Sequence, residues 1–175
     1  AAVVIDGSTK GSGGFAFRNA FEKLMIWPKK STGGSAVTGS FVSLKDHYLT
    51  RFKDIWLHND GPVPTEAVIH HINGNYTVFD NFIVWGPGPL ASDYQNSITY
   101  QHDDGDAPII NCDIEAHDTG IKWIGGVLNI HNPYTERVRY PIQVSNSASS
   151  GALNVYGGQL ATSGVTPCFD VRFQN

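Results

Sequence analysis

The chain has 175 residues, a formal net charge of -4 and only 16% charged side chains. One domain, 1–175, with a substantial core is the expectation from that length. No basic stripe is available to neutralise a phosphate backbone, and the longest apolar stretch, 121–130, is broken by Lys122, Gly125, Gly126 and Asn129, so neither nucleic-acid binding nor membrane insertion is expected.

The chain opens Ala-Ala-Val-Val without a Met, as a processed or excised piece of a longer chain would. After Ile5-Asp6-Gly7, short runs of β-branched and aromatic residues alternate with segments rich in Gly, Ser, Thr and Asn, and helical spacing is nearly absent. The runs repeat. Phe21-Glu22-Lys23-Leu24-Met25-Ile26 is echoed by Phe52-Lys53-Asp54-Ile55-Trp56-Leu57 and by Phe79-Asp80-Asn81-Phe82-Ile83-Val84. Fainter copies are Ile109 to Ile114, Ile142 to Val144 and Val171 to Phe173. With Leu24, Ile55, Phe82, Cys112, Ile142 and Val171 as equivalent inward positions, the offsets are 31, 27, 30, 30 and 29 residues. Ile26, Leu57, Val84, Ile114, Val144 and Phe173 form a second inward row. Phe21, Phe52 and Phe79 stand one residue out of strict alternation, which predicts a bend or bulge there.

A second strand series runs through Phe41 to Leu44, Val68 to Ile72, Ile98 to Tyr100, Ile121 to Ile124 and Leu153 to Tyr156. In its last two members Ile121 aligns with Leu153 at an offset of 32. A weaker third series is Tyr76 to Val78, Val127 to Ile130 and Gln159 to Ala161. Three strands per repeat, without two-residue hairpin turns, argue against a sandwich or propeller. The predicted fold is all-β: a right-handed parallel β-helix of about six coils of roughly 30 residues.

Period two then fixes the outward positions. One row reads Met25, Trp56, Ile83, Asp113, Gln143 and Arg172, and its neighbour Trp27, His58, Trp85, Glu115 and Ser145. The apolar strip so formed is larger than a monomer usually exposes, and something should cover it. The alternatives are a second and third subunit about a threefold axis, a sugar stacked on the indole faces, or loops of the same chain. For a sugar ligand the candidate binding residues are Trp27, Trp56, His58, Trp85 and His117. Asp113 and Glu115, two residues apart on a strand, have Cα atoms ~6–7 Å apart. Glycoside hydrolysis uses two carboxyl groups about 5–9 Å apart, so this pair is the candidate catalytic pair. Acidic pairs on strands are more often simply solvated.

Other features carry less. Cys112 and Cys168 read as buried free thiols. None of the seven histidines falls in a metal-ligand frame, so no metal or other cofactor is expected. Asp103-Asp104-Gly105-Asp106 lacks the downstream Glu of a calcium loop and reads as a solvated turn. Lys122, Arg137, Arg139 and Tyr140 are available for a lyase, but no spacing singles them out. The segment from Glu115 to Gly120 is short, whereas those from Trp27 to Ser40 and Trp85 to Asn96 are long.

Across essentially its whole length the chain resembles the parallel β-helix proteins of bacteriophage tailspikes and the wider pectate-lyase-like group. The resemblance rests on the units at Phe21, Phe52 and Phe79, on Ile5-Asp6-Gly7 and on the Gly-Gly turns at Gly125 and Gly157. It implies a homotrimer on a virion tail that binds, and often cleaves, a bacterial surface polysaccharide, and it assigns no catalytic motif to particular residues here. A noncatalytic trimeric module, and a secreted or cell-surface adhesin, are the other expectations. The end of the chain at Phe173-Gln174-Asn175, in mid-rung, again reads as that of a fragment.

Overall fold

A computed structural model describes residues 3–7, 16–27, 39–58, 66–86, 97–145, 150–162 and 169–171. The described residues are all-β, without a helix, and every strand pairing is parallel. One sheet contains β1 (Val3–Asp6), β2 (Ala16–Phe17), β5 (Val42–Tyr48), β7 (Ile69–Asn75), β9 (Ile98–His102), β11 (Thr119–Trp123), β14 (Tyr140–Val144) and β17 (Phe169–Val171). The other contains β3 (Ala20–Glu22), β4 (Met25–Ile26), β6 (Arg51–His58), β8 (Val78–Trp85), β10 (Asp106–Glu115), β12 (Gly126–His131), β13 (Tyr134–Val138), β15 (Gly151–Tyr156) and β16 (Gln159–Thr162). The chain visits the sheets in turn, and each visit adds a rung beside the last.

In-register pairing turns sequence repeats into ladders. Val42, Ile69, Tyr100, Ile121 and Ile142 are stacked partners in the first sheet, and all are buried. Phe21, Phe52, Phe79, Ile109, Ile130 and Val155 are stacked partners in the second. The rings of Phe21, Phe52 and Phe79 lie nearly parallel, 4.9 and 5.1 Å apart. The core lies between the sheets, with the Phe79 ring meeting Tyr100 edge-on at 5.3 Å.

Where Phe52 and Ile55 are both buried although two residues separate them, the chain breaks its alternation with a left-handed residue. Asp54 has a φ of 53°, and its rung neighbours repeat the conformation: Lys23 (54°), Asn81 (57°), Asn111 (53°), Asn132 (51°) and Gly157 (66°). Such a φ costs an ordinary L-residue about 1–2 kcal/mol, and Asn, Asp and Gly bear it best. Asn81 Nδ2 donates to Asp54 Oδ1 at 2.7 Å, and Asn132 Nδ2 to Asn111 Oδ1 at 3.3 Å, which ties successive rungs together. This is the bend expected beside the Phe row. It creases the second sheet into two facets.

The last repeats differ from their expected alignment. From Tyr100 to Ile121, and again to Ile142, the spacing is 21 residues rather than about 30. Ile142 therefore belongs to the first sheet, paired with Ile121, and is not the successor of Cys112. Val144 likewise pairs with Trp123, and Leu153 with Leu128 rather than with Ile121. The physical reason is loop length: the longer repeats contain segments such as 59–65 and 87–96, and the short turn at 116–118 replaces them in the later ones. Cys112 is a buried free thiol, raised to about 12 by its burial. Cys168, Arg172 and Phe173, the side chain of Val171, and most of the segments 27–40 and 85–96 lie outside the described residues.

The core also holds an unexpected polar row. His47, His71 and His102, from β5, β7 and β9, are fully buried. The rings of His71 and His102 stack at 4.6 Å, with Nδ1 to Nδ1 at 2.8 Å, and His47 meets His71 edge-on at 4.8 Å. The Thr77 hydroxyl lies 2.6 Å from His47 Nε2 and the Tyr100 hydroxyl 3.3 Å from His102 Nδ1. A Cβ on Gly74 would strike the His47 ring, so that glycine makes the room.

Two facing Nδ1 atoms share one hydrogen, and a second proton would set N–H against N–H. Burial holds His47 and His102 down to about 4 and His71 well below its usual value. Asp46 opposes this at His47. At His102 the Gly105 backbone, Asp103, Asp104 and Asp106 oppose it. On the outside of the same strands His70 lies 2.8 Å from Asp103 and 3.4 Å from Glu66. Burial disfavours its charge, but the two carboxylates outweigh this and raise it.

Unfolded imidazoles take up protons near pH 6.5, whereas His47 and His102 do so only near 4 and His71 well below its usual value. Their contribution is therefore complete above pH 6.5 and is lost as pH falls toward 4, each adding about 1.4 kcal/mol per pH unit to the slope. His70 contributes in the opposite sense, fully below pH 6.5 and less as pH rises through its raised value. Urea denaturation should accordingly give a lower midpoint at pH 4.5 than at pH 7. Equal midpoints would show that the buried row does not control acid stability.

Candidate functional site

The outward side of β4, β6, β8, β10 and β13 gathers the candidate residues. Pairing places Met25, Trp56, Ile83, Asp113, Tyr134 and Gln159 on successive rungs, and beside them His58, Trp85, Glu115 and Glu136. The successors of Asp113 and Glu115 are thus Tyr134 and Glu136. Gln143, expected there, pairs with Lys122 in the other sheet, and Ser145 follows the end of β14.

The aromatic groups brace one another. His58 lies between two indoles, its ring 4.7 Å from Trp27 and 5.2 Å from Trp85, and Trp56 meets Trp85 edge-on at 5.2 Å. Met25 and Trp27 are 55% and 58% exposed and Trp85 is 36% exposed, while Trp56 is half-buried, so the outer rungs hold the most open apolar surface. The Trp56 indole N–H has no hydrogen-bond partner among the described residues.

Beside Trp85 lies a cavity of about 220 Å³ lined by His58, Trp85, Gly86, Glu115, Ala116 and Arg137. Its floor is backbone: a Cβ on Gly86 would collide with the Ala116 carbonyl. His117 is fully buried next to this floor, near the Gly86 backbone, and does not reach the outer surface where a ligand contact was expected. Burial pushes its imidazole down to about 3, against a smaller opposing effect from the Trp85 backbone. Trp27, Trp56, His58, Trp85, Asp113 and Glu115 do share the outer face.

Arg137 Nη2 donates to Glu115 Oε2 at 2.8 Å, and its Nε lies 3.6 Å from Glu136. The Tyr134 hydroxyl donates to Glu136 at 3.1 Å. Asp113 has a buried Oδ1 without a hydrogen-bond partner among the described residues. Its carboxyl is raised by partial burial and then by repulsion from Glu115 and Glu136. A protonatable carboxyl and an arginine-paired carboxylate therefore stand two residues apart on one strand. Proton donation by the first and base or nucleophile duty by the second are what this asymmetry permits.

Tyr134, Glu136 and Gly86 were not found from sequence, and Arg137 was noted only as one of several residues available for a lyase. The signal existed in the echo of Asn111-Cys112-Asp113-Ile114-Glu115 by Asn132-Pro133-Tyr134-Thr135-Glu136, at the 21-residue spacing. Among the described residues no group of three or more His, Cys, Asp or Glu is arranged to hold a metal ion, and no helix is long and apolar enough to cross a membrane. The 103–106 segment is a turn, in which Asp104 accepts from the Gly105 N–H at 2.8 Å and Asp106 accepts from the Tyr76 N–H. No family model, curated protein or solved structure matches the chain. The class supported by the fold is an all-β protein of stacked parallel strands.

A carboxyl raised on folding loses its proton less readily folded than unfolded, so above its raised value the ionised Asp113 burdens the fold. Asp113→Asn should therefore melt above the wild type at pH 7 in thermal denaturation. A lower melting temperature would contradict the repulsion assigned to this cluster.

Proposed function

We propose that the chain is a right-handed parallel β-helix of about six coils, part of a tailspike-like attachment protein that binds and depolymerises a bacterial surface polysaccharide. The carrying observation is the outer face, where braced indole rings adjoin a one-ring cavity and a carboxyl pair. Flat aromatic faces pack on the apolar faces of pyranose rings, and carboxylates accept from sugar hydroxyls. A virion tail is the proposed location, with a secreted or cell-surface β-helix as the other.

In this reading Trp85 and Trp56 seat the chain of sugars, with Trp27 and His58 extending the track. Asp113 protonates the leaving glycosidic oxygen, and Glu115, held by Arg137, acts on the anomeric carbon directly or through water. The ~6–7 Å Cα spacing of alternate strand residues leaves both options open to the carboxyl groups.

Met25 and Trp27, the most exposed apolar pair of the strip, favour a second role for its outer rungs as the contact between subunits of a homotrimer. That contact and the cavity occupy different rungs, so the two roles compete only at Trp27, which in a trimer serves the subunit contact and leaves the sugar track to Trp56, His58 and Trp85.

Incubation with purified surface polysaccharides should release new reducing ends, and Asp113→Asn and Glu115→Gln should each lower the rate at least ~100-fold, in the range of a lost acid or base. Full activity in either variant would sink the pair.

A further inference from the structure

On the reading that this face binds a glycan, the cavity beside Trp85 also specifies the charge of the sugar. One carboxylate, Glu115, lines it, with Asp113 two residues away on the same strand and Glu136 beside Glu115 on the next rung, against one guanidinium, Arg137. That guanidinium is already neutralised within the protein, by Glu115 at 2.8 Å and Glu136 at 3.6 Å. Arg139, two residues further on, is paired with Asp118 at 3.4 Å and lies over the Tyr140 ring. Lys122 belongs to the other sheet. The remaining walls are the Trp85 and His58 rings and the Gly86–Ala116 backbone.

At about 220 Å³ the cavity falls below the ~300–1,000 Å³ of pockets for drug-sized ligands and suits a single ring. The missing Cβ at Gly86 lets the Ala116 carbonyl and the buried His117 ring pack directly against that backbone, which closes the cavity on its inner side.

We infer that this cavity takes a neutral or amino-bearing pyranose and rejects uronic, sialic and sulfated sugars. A ring lying on Trp85 directs its hydroxyl donors to Glu115, and an ammonium substituent gains from the same carboxylates and from the indole face. A carboxylate or sulfate in that place meets like charge, and the one guanidinium among the described lining residues is already engaged by Glu115 and Glu136, a juxtaposition that costs affinity steeply. The reaction class follows: elimination needs a uronic acid, so cleavage at this face is hydrolysis.

The test is a glycan array spanning neutral, amino and acidic oligosaccharides, probed with the wild-type chain, Trp85→Ala and Glu136→Gln, with calorimetry on the hits. Expected are hits among neutral and amino sugars that disappear in Trp85→Ala, with acidic counterparts at least ~tenfold weaker, a gap of 1.4 kcal/mol. Glu136→Gln should narrow that gap. Trp85-dependent hits confined to acidic sugars, or equal across the classes, would overturn the charge inference and leave glycan binding intact. An array without any Trp85-dependent hit would overturn glycan binding itself.

Discussion

The left-handed residue repeated on every rung of the second sheet is the constraint on which the rest depends. Lys23, Asp54, Asn81, Asn111, Asn132 and Gly157 hold φ between 51° and 66° and reset the inward and outward alternation at one line. Without that reset, Phe52 and Ile55 could not both be buried, and Trp56 would face the core in place of Leu57. Because the crease is in register, it also aligns everything that follows it. The aromatic row and the carboxyl row are consequences of one backbone conformation used repeatedly.

The two sides of these strands handle polarity in opposite ways. Inside, the imidazoles of His47, His71 and His102 are kept neutral by burial and accept a strained hydrogen-bond arithmetic at Nδ1. Outside, Asp113, Glu115 and Glu136 stand close enough to repel, with Arg137 compensating only part of their charge. Like charges crowded on an open surface mark this face as the candidate site. The interior row instead makes the fold sensitive to acid.

Much of the architecture was legible because parallel stacking writes itself into sequence as ladders. The Phe21, Phe52 and Phe79 units identified rungs, and their broken alternation marked the crease. The core positions Ile55, Leu57, Phe82, Val84, Cys112 and Ile114 followed. Legibility failed after Glu115, where the connection from the second sheet to the first shortens and the spacing falls from about 30 to 21 residues. Apolar residues recur often enough in both sheets that Ile142 satisfied the wrong ladder. The Asn row was the better guide, since a left-handed residue is required at one place per rung whereas an isoleucine fits at many. That error hid Tyr134 and Glu136, and the place of Arg137 beside Glu115. The inward turn of His117 was illegible for a different reason, because a short turn carries no alternation to extrapolate.

The measurement that bears most directly on this account is a crystal structure of the chain with an oligosaccharide that it binds. The account requires a pyranose ring stacked on Trp85, between His58 and Arg137, with a hydroxyl on Glu115 and the glycosidic oxygen toward Asp113. A structure in which a neighbouring subunit covers Trp85 and fills the cavity, with the sugar elsewhere, would contradict it.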